Sequence, residues 1–170
     1  MPGFIQREPY YTTAWDGTWS LRNRTNANNV GIPEQWGGTF SYALHAHSFG
    51  NLLPPAEYFE EHPEYFMAEE DGRRIPRQLC ATNPDVVRIV TKNVIELLKK
   101  RPAAELIMLS YSDGQRHCRC GPCMVLNVSN NSPNGSLITF VNQVAEAVEQ
   151  EFPNVLIGSE AYNETMPAPT

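Results

Sequence analysis

At 170 residues, with 41% apolar and 19% charged residues, the chain has the composition of one ordinary globular domain with its own core. A net charge of −6 and scattered Lys and Arg speak against a nucleic-acid surface. No run of about 18 apolar residues is present, so no membrane span is predicted.

In chain order, "FIQREPYY" at 4–11 reads as a strand and "TWSLRNRTN" at 18–26 as a short helix. "TFSYALH" at 39–45 is a second strand, followed by a helix from Pro55 through "PAEYFEEH". "EYFMAEEDGRRIP" predicts a small hairpin turning at Asp71-Gly72, and "RQLCA" at 77–81 another strand. The clearest helix opens at Asn83, with Pro84 and Asp85 suited to its first turn. Val87, Val90, Val94 and Leu97/Leu98 follow at helical spacing, and Pro102 stops it. "ELIMLSY" at 105–111 has strand length and composition. Leu137, Phe140, Val141, Val144 and Val148 then mark an amphipathic helix, and "NVLIGS" at 154–159 a last strand.

Near-continuous apolar strands alternating with helices predict an α/β fold with a buried parallel sheet of up to five strands. A closed (β/α)8 barrel takes ~250 residues. The expectation is therefore a partial, TIM-barrel-like single domain over 1–170, about four to five βα units drawn from a longer parent chain.

In parallel α/β folds the chemistry gathers at the carboxyl ends of the strands. Those ends carry Arg7 or Glu8, His45 and His47, Cys80, Ser112 and Asp113, and Ser159 and Glu160. Asp113 and Glu160, delivered by neighbouring buried strands, are candidates for a glycosidase carboxylate pair. The plain alternative is a turn residue and a solvated loop charge. His45 and His47 form an H-x-H that would suit a metal-dependent barrel hydrolase, although two imidazoles do not make a site. Structural hydrogen bonding is the expected role of His45, substrate contact that of His47. Aromatic residues gather in the first third (Tyr10, Tyr11, Trp15, Trp19, Trp36, Phe40, Tyr42 and Phe49), as core or as platforms for sugar rings.

"HCRCGPC" at 117–123 supplies three cysteines from one loop, and Cys80 ends the strand before the long helix. Cys80, Cys118, Cys120 and Cys123 together could hold a structural zinc as four thiolates. Disulfides, with Cys80 bonded to one of the trio, and free thiols remain the alternatives. A thioredoxin-like role is not expected, because the C-x-x-C does not open a helix after the first strand of such a fold.

Several segments, in order, resemble one family: "REP" at 7–9, "DGTWSLRNRTN", "HSFGNLLPPAEYFEEHPEYF", "GRR", "QLCATNPDVVRIV", "CRCGPC" and "GSLITFVNQVAEAVEQEFPNVLIGSEAY". The chain is similar over nearly its whole length to the bacterial domain-of-unknown-function family 4838. The resemblance implies a barrel related to glycoside hydrolases, often with an α-glucuronidase-like arrangement upstream. It also implies export, a polysaccharide substrate and a longer parent protein. His47, Cys80, Asp113, Cys118, Cys120 and Cys123 fall on its motif positions; His45, His117 and Glu160 do not clearly do so. One departure stands out, because Tyr111-Ser112-Asp113 replaces the usual Gln-Asn-Asp and removes amides that would bind substrate.

The expected function is thus carbohydrate-active and glycoside-hydrolase-like, with Asp113 as acid/base or nucleophile and Glu160 as candidate partner. His47, Tyr111 and Ser112 would contact the substrate. A non-catalytic carbohydrate-binding or structural domain braced by the cysteines is the second reading, and a metal hydrolase using His45 and His47 the third.

Overall fold

The computed structural model describes residues 5–27, 30–114, 117–162 and 166–170. Its elements are α1 (Gly17–Asn23), β1 (Tyr42–Leu44), α2 (Phe49–Leu52), α3 (Pro55–Tyr58), β2 (Phe66–Ala68), β3 (Arg74–Leu79) and α4 (Pro84–Lys100). β4 (Leu106–Met108), α5 (Gly121–Ser129), α6 (Gly135–Glu149) and β5 (Leu156–Gly158) complete it.

β1, β4 and β5 form a parallel sheet in the order β1-β4-β5, so the apolar "LIM" strand is central and paired on both sides. Alternate residues face opposite ways. Ala43 and Ile107 enter the main core with Val86, Val90, Val94 and Leu98 of α4 and Phe140, Val141, Val144 and Val148 of α6. Tyr42 and Leu106 look to the other side, where they meet Phe40. Burying these helical stripes against the sheet is the main stabilising term, at roughly 25 cal/mol per Å² of apolar surface.

α4 begins as its sequence predicts. The Asn83 side chain accepts hydrogen bonds from the Asp85 and Val86 N–H groups, and Pro84 occupies the first turn. Loss of this cap leaves those donors unpaired, so Asn83→Ala is expected to cost about 1 kcal/mol by urea denaturation, and Asn83→Asp much less. α5 and α6 meet at Gly135, where a Cβ would lie 2.6 Å from the Leu126 carbonyl oxygen. Only glycine allows that approach.

The structure corrects the strand expectation in two places. No strand forms over residues 5–11, and Phe4 lies outside the described residues. "RQLCA" belongs to no parallel sheet: β3 pairs antiparallel with β2, Phe66 opposite Leu79 and Ala68 opposite Arg74. The predicted hairpin is therefore real, and its second arm absorbs the expected separate strand. Gly72, at φ 83°, makes the turn, and the Asp71 carboxylate accepts from the Arg73 N–H. The sheet consequently has three strands rather than five, and no closed barrel is present among the described residues. The α/β class and the parallel sheet stand. The loop after Cys120 also contains a helix, α5, that the sequence did not announce.

Candidate functional site

Beyond the carboxyl end of β1 the chain turns sharply, and His47 takes a left-handed backbone conformation at φ 58°. Two serines hold this turn to the end of β4. The Ser110 hydroxyl accepts from the His47 N–H at 2.9 Å, and the Ser48 hydroxyl accepts from the Ser110 N–H at 3.2 Å. Both serines are buried, so these bonds are shielded from water. The imidazole Nδ1 lies 2.8 Å from the Tyr111 carbonyl oxygen, a contact that needs a hydrogen on Nδ1. Nε2 is then the nitrogen turned to the site.

Around this ring stand the two predicted carboxylates. Asp113 Oδ1 is 3.5 Å from Nε2, and Glu160 Oε2 is 3.9 Å from Nδ1. β1, β4 and β5 each deliver one of the three groups. The Asp113 side chain is 76% exposed and that of Glu160 31%.

A second polar group lies beside them. The Tyr10 hydroxyl is 2.6 Å from His45 Nε2, and the same nitrogen is 3.7 Å from Glu8. Glu8 has only 8% of its side chain exposed and accepts from the Tyr42 hydroxyl at 2.5 Å and the Gln6 amide at 2.9 Å. Burial, then the hydrogen bond to Glu8, push the Tyr42 phenol well above its ordinary range, so it stays a donor. Tyr10 is also raised, first by burial and then by the charges of Glu8 and Glu160, which ties it to the carboxylate group. His45 thus has the structural bonding expected of it. The two histidines serve different partners, and the one group of metal-ligand geometry among the described residues lies elsewhere.

Tyr111 and Ser112 contribute through their backbones. The Tyr111 ring packs against Phe49, and its buried hydroxyl meets no hydrogen-bond partner among the described residues. Ser112 is held on both sides of its peptide by one side chain: Gln78 donates to its carbonyl at 2.7 Å and accepts from its N–H at 3.0 Å. Gln78 is buried, and this two-point clasp fixes the approach to Asp113.

Asp113 also lines a cleft of about 550 Å³ walled by the β2–β3 hairpin, with Arg73, Arg77, Gln78 and Arg119 among its other residues. Arg119 ties the far wall to the hairpin, its N–H donating to the Ala68 carbonyl at 2.9 Å and its guanidinium meeting Glu70 at 2.6 Å.

Directly behind that wall sit the four cysteines. Their sulfurs all lie within 4.8 Å of one another; Cys80 Sγ is 3.6 Å from Cys120 and 3.9 Å from Cys123. A disulfide would require about 2.05 Å, and all four are free thiols. The set could bind a metal ion such as zinc. Tetrahedral zinc with Zn–S bonds of about 2.3 Å places its sulfurs about 3.8 Å apart, which these separations match. Of the four thiols, Cys80 is held far below the usual range, first by hydrogen bonds from Cys118 and Cys123. Cys123 is pushed far up by its bonds to Cys118 and Cys80 and by burial. A buried cluster avoids crowding four like charges in this way until a cation collects them. Met67 and Ala68 of the hairpin pack on the cluster, and the Ala68 N–H donates to Cys118 Sγ at 3.3 Å.

A family model described as domain of unknown function (DUF4838) matches residues 1–170. The chain belongs to this family. No curated protein and no solved structure matches it. In this DUF4838 chain the sequence pointed to Asp113, Glu160, His47 and the four cysteines, and the structure groups the first three and, separately, the last four. It did not single out Gln78, Arg74 or Thr82. Gln78 did carry a signal, as an amide beside the apolar end of a strand.

Proposed function

We propose that the carboxyl-end face of the sheet and its adjoining cleft form a carbohydrate-active site of glycoside-hydrolase type, within a barrel-like parent domain. Asp113 is the acid/base and Glu160 the partner carboxylate. The observation that carries this reading is the single imidazole of His47 in contact with both. That arrangement keeps the carboxylates within about 10 Å of each other, the range that contains retaining (~5–5.5 Å) and inverting (~6.5–9.5 Å) pairs. Exposed Tyr10 beside Glu160 offers a ring face for a sugar, and the cleft offers charged donors and acceptors for hydroxyl groups.

The cysteines, in the same proposal, hold a structural zinc. Four thiolates fill a tetrahedron and leave no position for a reacting water, so the ion would brace the cleft wall and take no part in the chemistry.

Reducing-sugar release from a panel of plant and microbial polysaccharides tests the catalytic assignment. Asp113→Asn is expected to lower the rate by about 10²–10⁴-fold while the fold is unchanged. Undiminished turnover would rule Asp113 out. Retention of polysaccharide in affinity electrophoresis by a chain that cleaves none of the panel would favour the non-catalytic binding reading instead.

A further inference from the structure

A zinc ion with four thiolates carries a net double negative charge, and three of these four cysteines are buried. Buried sulfur charge of that kind requires hydrogen-bond donors around it. Two donors are plain. The Ala68 N–H and, at 3.9 Å, the Arg74 guanidinium both approach Cys118. The Arg74 guanidinium also lies against Cys80, and one hydroxyl is common to the three sulfurs other than that of Cys118. Thr82 Oγ1 lies 3.2 Å from Cys123, 3.7 Å from Cys80 and 3.8 Å from Cys120.

We propose that Thr82 is the outer positioning residue that locks the metal into this centre, an inference that rests on the zinc reading above. A metal-bound thiolate has no hydrogen to give, so the hydroxyl must be the donor, and the short contact directs it to Cys123. Its place in the chain suits the task. Cys80, two residues before, is a ligand, and Asn83, the next residue, is fixed as the cap of α4. Thr82 is therefore anchored from both sides. Thr82 and Cys120 are also the partly exposed members of the group, whereas Cys80, Cys118 and Cys123 are buried. A competing ligand or an electrophile reaches the sulfurs from that side. There the hydroxyl donates to Cys123 and draws charge from it.

The test uses the full chain and zinc alone. Wild type, Thr82→Val and Thr82→Ser are loaded with zinc, and transfer to excess pyridylazoresorcinol is followed by absorbance. Valine keeps the shape and loses the hydroxyl, and serine keeps the hydroxyl. Thr82→Val is expected to release zinc about 10–100-fold faster, the scale of other outer-partner losses, with Thr82→Ser close to wild type. Peptide mapping after brief alkylation should then show Cys123 as the cysteine whose labelling rises most. Equal release from wild type and Thr82→Val overturns the role of Thr82 and leaves the zinc reading intact. A wild type that takes up no zinc overturns the zinc reading, and this inference with it. Far-ultraviolet circular dichroism checks the fold; should the valine variant unfold, Thr82→Ala against Thr82→Ser decides by the same comparison.

Discussion

Cys118→Ser is expected to abolish zinc uptake at the proposed four-cysteine centre and to loosen the hairpin that walls the cleft. Elemental analysis of the wild type is expected to give one zinc per chain with four protected thiols, and of the variant far less. The free energy at stake is large, because apparent binding of structural zinc in small peptides is worth about 10–16 kcal/mol. Here the sheet and the α4–α6 core exist apart from the cluster, so only part of that will appear as global stability. A loss of about 4–5 kcal/mol or more is the range in which removal of a metal ligand falls. The local signature is sharper. Cys118 Sγ accepts from the Ala68 N–H, and the Ala68 carbonyl accepts from the Arg119 N–H. Both amides should lose hydrogen-exchange protection in the variant and in chelator-treated wild type, while those of α6 keep theirs. A wild-type chain isolated with two disulfides and no metal would refute this picture.

Phe140→Ala is expected to cost about 3–5 kcal/mol in urea denaturation, with Phe140→Leu, which keeps more of the volume, costing less. Phe140 is fully buried and meets Phe49 edge-on with ring centres 5.5 Å apart. Phe49 in turn meets Tyr111 at 5.5 Å. The Tyr111 carbonyl then orients His47. A cavity at Phe140 therefore sits two rings away from the face that carries His47 and Asp113. Relaxation of Phe49 and Tyr111 into it would shift the segment that leads to Asp113. A cost below about 1 kcal/mol would mean that this core tolerates rearrangement, against the close packing described above.

Elements specified by their own residues were readable without the structure. Asn83, Pro84 and the valine spacing announced α4, and Asp71-Gly72 announced the turn between β2 and β3. The placement of Asp113 and Glu160 followed from the apolar strands before them and the rule that parallel sheets carry function at their carboxyl ends. What failed was pairing. Leu79 looks equally suited to a parallel sheet or a hairpin, and only the remote partner Phe66 decides between them. α5 was hidden for a related reason. Val125 and Val128 are exposed, so its apolar residues do not fall on one inward face, and the helical period is blurred. Thr82 and Gln78 act across about forty and thirty-four residues of sequence, on Cys123 and Ser112. No local pattern records contacts of that reach. The cysteines were legible as a set because thiolate chemistry needs several together, whatever the distance along the chain.

The left-handed backbone of His47 bears on how a ligand would meet this site. A non-glycine residue held there costs of order 1–3 kcal/mol, met by the surrounding structure at the time of folding. In exchange two serine hydroxyls pin the main chain and the Tyr111 carbonyl aims the ring, with little left to rotamer choice. An arriving molecule finds the imidazole already preorganised and loses little affinity to side-chain ordering. Strain stored in one peptide unit is thereby turned into readiness at the point where two carboxylates converge.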